Sequence, residues 1–339
     1  MSVPIAAYPA PFNTTRASHV VLSVKDLGRS ASFYIDALGL VESAREKDAL
    51  YLRGVEEACH HSLVLRQAST APAAQRIGFR AFSEQDLEQA AVFFRSKGLH
   101  CEWVEVPHQG RTFHVTDSVG TPLEYCSSME TKERLVVKFE QFRSGAPQRL
   151  DHFQILTPEV TEATAFYTAM GFRVSEYVAV DNTDDIVFVF LQRKGNPHDI
   201  VFALGAGPRL HHVAYCVADT SALIRLCDVA GNVGFGGALE HGPGRHGPGH
   251  ALFVYLRDPD GHRIEFFTTH YQVMDIENSP VRWDVSYLKK RPWGLPPRQQ
   301  WYQEAMAFEK TEVRHPSRAA KPATLESMLL ASLDRSGEA

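Results

Sequence analysis

No apolar run in this chain of 339 residues approaches the roughly 18–20 residues that a membrane-crossing helix needs. Its start, MSVPIAAYPAPFNTTR, has no basic segment ahead of an apolar stretch, so no secretory leader is expected. Cysteine is scarce: Cys59, Cys101, Cys126, Cys216 and Cys227 are odd in number and never spaced as C-x-x-C. Free thiols in a reducing cytoplasm are expected rather than a disulfide framework. There is no basic cluster, and 35 Lys and Arg against 40 Asp and Glu leave a net charge of −5. That balance argues against a nucleic-acid surface. The glycine-rich GPGRHGPGH (242–250) lacks both a preceding strand and the spacing of a phosphate loop, which gives nucleotide binding there little weight. What remains is a globular chain, 44% hydrophobic, of about two domains, suited to small-molecule chemistry.

The chain does contain an internal repeat. SHVVLSVKDLGRSASFYIDALGL (18–40) and DHFQILTPEVTEATAFYTAMGF (151–172) share a strand, a helix with a Phe-Tyr pair (Phe33 and Tyr34; Phe166 and Tyr167), and a terminal glycine, Gly39 or Gly171. Glycine is favoured there because it accepts positive φ without a Cβ penalty. IGFRAFSEQDLEQAAVFFRSKGL (77–99) parallels HHVAYCVADTSALIRLCDVAG (211–231), each a strand, a helix and a glycine stop. TFHVTDSVGTPLEYC (112–126) parallels FVYLRDPDGHRIEFF (253–267), each two strands joined by an Asp-x-x-Gly turn. The implied architecture is α+β: four βαβββ modules, paired into two open cup-shaped sheets with helices outside. The charged run METKERLVVKFEQFRSGAPQ (129–148) marks the boundary, giving units at 1–145 and 146–285. Residues 286–339, Pro- and charge-rich with an amphipathic stretch near WYQEAMAFEK (301–310), read as an arm or lid.

Histidine supplies the chemistry. RLHHVAY (209–215) opens a buried strand with two adjacent histidines, and successive strand side chains point to opposite faces. Aligning the halves sets Gly78 opposite His212, and strand phase matches His212 with His152, leaving His211 and Asp151 on the other face. Glu265 sits on the last strand of the second half, with Glu124 and His19 at the corresponding first-half positions. A strand histidine alone is usually a satisfied core residue; His152, His212 and Glu265 at equivalent strand positions are a ligand set. Two imidazoles and one carboxylate form a facial triad for Fe(II) or another octahedral divalent metal, and their single negative charge preserves its Lewis acidity. With glycine in the middle position, the first half is expected to bind no metal.

By these residues the chain resembles the type I extradiol ring-cleaving dioxygenases of the vicinal oxygen chelate (glyoxalase-like) superfamily, and among them the homoprotocatechuate (3,4-dihydroxyphenylacetate) 2,3-dioxygenases. The likeness spans roughly residues 15–300 and is densest in RLDHFQ (149–154), RKGNPHD (193–199), GPRLHHVAY (207–215), HGPGRHG (241–247) and YLRDPDGHRIEFF (255–267). It implies Fe(II), or Mn(II), on His152, His212 and Glu265. It further implies a catechol held through both oxygens beside O2, and meta cleavage to a ring-opened semialdehyde in aromatic catabolism. His198 takes the position of a proton-transferring histidine, a role suited to an imidazole. Tyr255 matches a tyrosine that hydrogen-bonds the substrate oxygen, and His246 a histidine one layer behind. Homo-oligomers, tetramers among relatives, are also implied.

Departures from the family pattern concern the substrate. Gln154 stands where those enzymes carry Asn, Phe190 where they carry Trp, and His241 where an Arg holds the substrate carboxylate. The second cationic position falls on Lys290 or Arg291. Neither His nor Lys reproduces a bidentate Arg fork, so a catechol with an alkyl or aryl substituent is an open alternative to an acid. Two other classes stay open on this scaffold: a metal-dependent lyase or isomerase, and a drug-sequestering binding protein. Sites of the first kind draw ligands from paired modules, and binding proteins of this fold normally lack the triad.

Overall fold

The computed structural model describes residues 3–288, 293–295 and 297–316. Two mixed sheets carry the fold, one of eight strands from Thr14–Val24 to Pro122–Cys126, the other of eleven from Arg149–Thr157 to Met306–Ala307. Their centres repeat the same order. Thr14–Val24 lies parallel to Leu63–Gln67 and antiparallel to Ala74–Ala81, which in turn runs parallel to Pro122–Cys126. In the second sheet Arg149–Thr157 lies parallel to Ile200–Leu204 and antiparallel to Arg209–Cys216, which runs parallel to Arg263–Thr268. The α+β repeat expected from sequence is therefore present.

Local chemistry explains the connecting helices. Ser83 caps Glu84–Ser96 by accepting from the Asp86 amide, and Leu87, Ala90, Ala91 and Phe94 form its buried face at helical spacing. Asp219 caps Thr220–Ala230 in the same way. Gly39 and Gly171 both have φ of 87°, the left-handed stop. Gly231 does not: its φ of −61° is helical, and the chain continues through a π turn until Gly234, at φ 91°, reverses it. The expected glycine stop thus lies three residues later.

The halves are locked together by an exchanged pair of hydrogen bonds. Tyr34 of the first half donates to Asp258 in the hairpin turn of the second (2.9 Å), and Tyr167 of the second donates to Asp117 in the turn of the first (3.0 Å). One hydrophobic cluster runs through both, from Phe12 to Phe308.

Register corrects the alignment of the histidine strand. Gly78 pairs with His19 on one side and Glu124 on the other; in the second half Ala214 holds that place, between His152 and Glu265. The counterpart of Gly78 is therefore Ala214, and that of His212, two residues earlier, is Arg76. The reason is steric: a Cβ on Gly78 would lie 2.1 Å from Cε1 of His19, so only glycine fits beneath that ring.

Beyond residue 280 the chain builds onto the second sheet. Val281–Asp284 pairs parallel with Arg173–Ala179, Trp293–Gly294 with Leu239–Arg245, and Met306–Ala307 with Arg209–Cys216. The arm then reaches the first half, where Phe308 bridges to Ala74 and Arg314 donates to the Val119 carbonyl. Among the described residues no helix is long and apolar enough to cross a membrane, and all five cysteines are free.

Candidate active site and metal centre

Three strands aim ligand atoms at one point inside the second sheet. His152 Nε2 and His212 Nε2 each lie 3.2 Å from Glu265 Oε2, and all three residues are buried. The rings of His152 and His212 stand 5.6 Å apart at 78°, so they converge rather than stack. Metal bonds of about 2.1–2.2 Å place adjacent ligand atoms of an octahedron about 3 Å apart. The residues present therefore fit a divalent cation bound on one face.

The tautomers follow from the partners. Asp151 Oδ2 lies 2.9 Å from His152 Nδ1, so that nitrogen carries the proton and Nε2 offers a lone pair. Asp151 also accepts from the Asn196 amide. Burial alone would raise its carboxyl, but Lys194 and His152 hold it well below the usual range. His212 is fixed by a longer chain. The Trp301 carbonyl, 3.2 Å from His211 Nε2, requires a proton there. Burial and the nearby Arg263 push His211 well below the usual imidazole range, so it is neutral and its Nδ1 is bare. His211 Nδ1 must then accept from His212 Nδ1 at 2.7 Å, which leaves Nε2 of His212 unprotonated and facing Glu265. Burial also pushes His212 itself down to about 4.

A layer of further groups surrounds this centre. His246 Nε2 lies 3.1 Å from Glu265 Oε1 and 3.0 Å from the Tyr255 hydroxyl, tying the second carboxylate oxygen to the phenol. Burial would raise Glu265, but His152, His212 and His246 hold it well below its usual range. His198, buried, sits edge-on to His152 with ring centres 4.2 Å apart. Burial, His152 and His270 push it well below the usual imidazole range, so it is a neutral base. It rises from the Gly195–Asp199 loop, where Asn196 donates to the His198 carbonyl and Asp199 accepts the Arg193 amide.

These residues line a cavity of about 860 Å³, measured to its open mouth, with Gln154, Phe190 and His241 on its wall. Its remaining wall is mostly apolar: Val178, Phe188, Val201, Pro248, Trp301 and Tyr302. Nine of the residues singled out from sequence thus share one cavity. Lys290 and Arg291 lie outside the described residues. Among the described residues no Lys or Arg lines the cavity.

Sequence reasoning missed His270 and Trp301. His270 stacks on Phe267 at 4.1 Å and sits 4.8 Å from His198. It follows Thr269, whose φ of 63° turns the chain back into the cavity, and no strand periodicity announces such a turn. Trp301 comes from the arm, packs against His211 at 4.5 Å and carries the carbonyl that sets its tautomer. Asp151 carried a signal, the Asp-His adjacency, but placing it on the opposite face concealed its bond to the neighbouring ring.

The profile of the Glyoxalase/Bleomycin resistance protein/Dioxygenase superfamily matches residues 16–125 and 149–266. A manganese-dependent 2,3-dihydroxybiphenyl 1,2-dioxygenase of Geobacillus genomosp. 3 is 28% identical over 295 residues, covering 80% of this chain and 90% of that one. A metapyrocatechase of Geobacillus stearothermophilus is 27% identical over 290 residues, 81% and 87% of the two chains. Among solved structures, homoprotocatechuate 2,3-dioxygenase from Arthrobacter globiformis superposes with a TM-score of 0.84 at 35% identity, covering 90% of this chain and 95% of that one. The Brevibacterium fuscum homoprotocatechuate 2,3-dioxygenase in complex with 3,4-dihydroxyphenylacetate gives 0.85 at 33%, covering 92% and 99%.

Proposed function

The chain belongs to the glyoxalase/bleomycin resistance protein/dioxygenase superfamily and, within it, to the type I extradiol dioxygenases, and we propose that it opens the ring of a catechol bearing an apolar substituent. The reaction inserts both atoms of O2 beside the diol and yields a ring-opened semialdehyde. One observation carries this reading: three converging ligand atoms, 3.2 Å along two edges, lie in a cavity that also holds a neutral histidine and a phenol.

His152, His212 and Glu265 hold the metal, Fe(II) or Mn(II). Bound there, the cation supplies Lewis acidity toward the catechol oxygens and O2. A donor set with one negative charge suits either ion. His198, neutral and within the cavity, takes a catechol proton and returns it as the ring opens. Tyr255 donates its hydroxyl to the substrate oxygen on the opposite side, positioned by His246. Gln154 offers an amide at the O2 side, and the apolar wall lowers the polarity around the reacting atoms.

Substrate choice is read from the rest of the cavity. Val178, Phe188, Phe190 and Val201 favour an alkyl or aryl group, and His241 faces the place where a guanidinium would grip an acid. The second half is thus the catalytic unit and the first its non-catalytic partner. A homo-oligomer fits the exposed Val137 and Phe139 between the halves, and light scattering of the eluted protein tests it.

The decisive experiment loads the protein anaerobically with Fe(II) or Mn(II), adds a catechol panel, then admits air. O2 uptake with a new yellow chromophore is expected, stronger on neutral 4-alkyl or 4-aryl catechols than on 3,4-dihydroxyphenylacetate. Metal-loaded protein that turns over no catechol would sink the reaction, and preference for the acid would overturn the substrate class.

A further inference from the structure

Glu176 stands on the strand Arg173–Ala179, two residues before Val178 of the cavity wall and on the same strand face, yet the reaction makes no use of it. It is only 1% exposed, and burying a carboxylate is costly unless donors surround it. Three donors do, each from a different segment. The Gly249 amide (2.8 Å) and the Tyr271 hydroxyl (2.6 Å) donate to Oε1, and the Trp283 indole (2.6 Å) donates to Oε2.

What the carboxylate clamps borders the reacting atoms. Gly249 belongs to a turn closed by the His246 amide on the Ala251 carbonyl (2.9 Å) and the His250 amide on the Gly247 carbonyl (3.2 Å). The turn begins at His246, which ties Glu265 to Tyr255. Gly249 has φ of 68°, and a Cβ there would lie 3.2 Å from His270 Nε2 and 3.4 Å from His198 Cε1. A Cβ on Gly247 would meet the Trp283 ring at 3.5 Å. The turn is thus packed between the indole and two imidazoles, and Tyr271, the second donor, directly follows His270. His198 depends on this packing. Among the described residues its Nδ1 has no hydrogen-bond partner, so His152 at 4.2 Å, His270 at 4.8 Å, Phe190 at 5.2 Å and the turn place its ring.

We propose that Glu176 is a positioning residue for ring cleavage: it seats the 246–251 turn and the His270 segment so that His198 keeps its aim at the substrate oxygen. The proposal rests on the ring-cleaving reading of the site. Glu176 is not itself on the cavity wall, so its loss acts through His198 and slows proton transfer. Metal binding and catechol affinity, which depend on other groups, should stay.

Glu176→Gln preserves shape but removes one acceptor. Its amide nitrogen must face either the Trp283 indole or the Gly249 amide, and both of these can only donate. Trp283→Phe deletes one of those donors, so the double variant can turn its amide oxygen to Gly249 and Tyr271. Full-length Fe(II)-loaded protein is assayed on 4-methylcatechol, with metal content counted and exchange of the 246–251 turn followed by hydrogen–deuterium mass spectrometry. Glu176→Gln should keep its metal, exchange faster in the turn, and lose about 10–100-fold in kcat with KM within about threefold. The double variant should return to within about threefold of Trp283→Phe alone. Tyr271 is 37% exposed, so Tyr271→Phe keeps the fold and should lower kcat by a smaller factor. A wild-type kcat in Glu176→Gln, metal loss in step with kcat, or a double variant no better than Glu176→Gln would overturn the proposal. Wild-type protein that leaves the catechol intact counts against the reaction instead. Exchange then decides the clamp, and a turn indifferent to Glu176→Gln would remove it.

Discussion

His211 and His212 divide one task between adjacent residues. His212 presents its Nε2 to Glu265, while His211 holds the opposite nitrogen at 2.7 Å and is itself held by the Trp301 carbonyl. Removing the ligand and removing its orienting partner should therefore differ in kind. His212→Ala is expected to lose the metal, whereas His211→Ala retains it with affinity lower by about 10–100-fold. Metal content after gel filtration, followed by a chelator titration, checks both, and metal loss confined to His211→Ala would reverse the assignment. His198 touches the site without converging on its ligand point. His198→Gln should keep the full metal content and lower kcat by about 10²–10⁴. Turnover at the wild-type rate would reduce His198 to a loop residue packed on His152.

At the scale of strands, one small residue in each sheet separates the histidine strand from the glutamate strand. Gly78 does this in the first half, beneath a His19 ring pinned by Ser18 at 3.1 Å and Glu124 at 2.7 Å. Gly78→Ala should destabilise the protein by on the order of 2–3 kcal/mol, because the pinned ring cannot move aside. A fall of roughly 3–4 °C in apparent Tm, with the catalytic metal content unchanged, is the expected reading. Unaltered stability would contradict the register. This pair also shows what the sequence made legible. Strand phase separated His212 from His211, because alternation survives any small error in alignment. The match of Gly78 to His212 failed, because two shifts along a strand preserve the face and only hydrogen-bond register distinguishes them. His270 was invisible for a different reason: it depends on the positive φ of Thr269.

At the scale of the whole molecule, the repeat is less a pair of beads than an exchange of parts. Tyr34 and Tyr167 each satisfy an aspartate of the opposite half, and the core passes through both without a break. The arm adds a third tie, centred on Glu240. Arg263 grips its carboxylate with two nitrogens at 2.6 and 3.1 Å, Arg257 donates at 2.8 Å, and Arg298 of the arm at 3.1 Å. Arg263 also donates to the Glu304 carbonyl at 2.7 Å, so the same cations hold the segment that carries Trp301 over the site. Burial would raise Glu240, but Arg263 and Arg257 lower it to about 2. A carboxylate depressed in the folded state contributes stability that is present above its unfolded value and lost as pH falls toward the folded one. For Glu240 that window runs from about 4.5 down to about 2, and the contribution above it is on the order of 2–3 kcal/mol. Glu240→Gln should therefore melt well below the wild type at pH 7, where Arg263 is left buried beside an uncharged partner. The gap should narrow steadily as pH is lowered through that window. Melting followed by tryptophan fluorescence also reports the arm through Trp301, and a gap that stays constant with pH would show that the arm is held by something other than this charge.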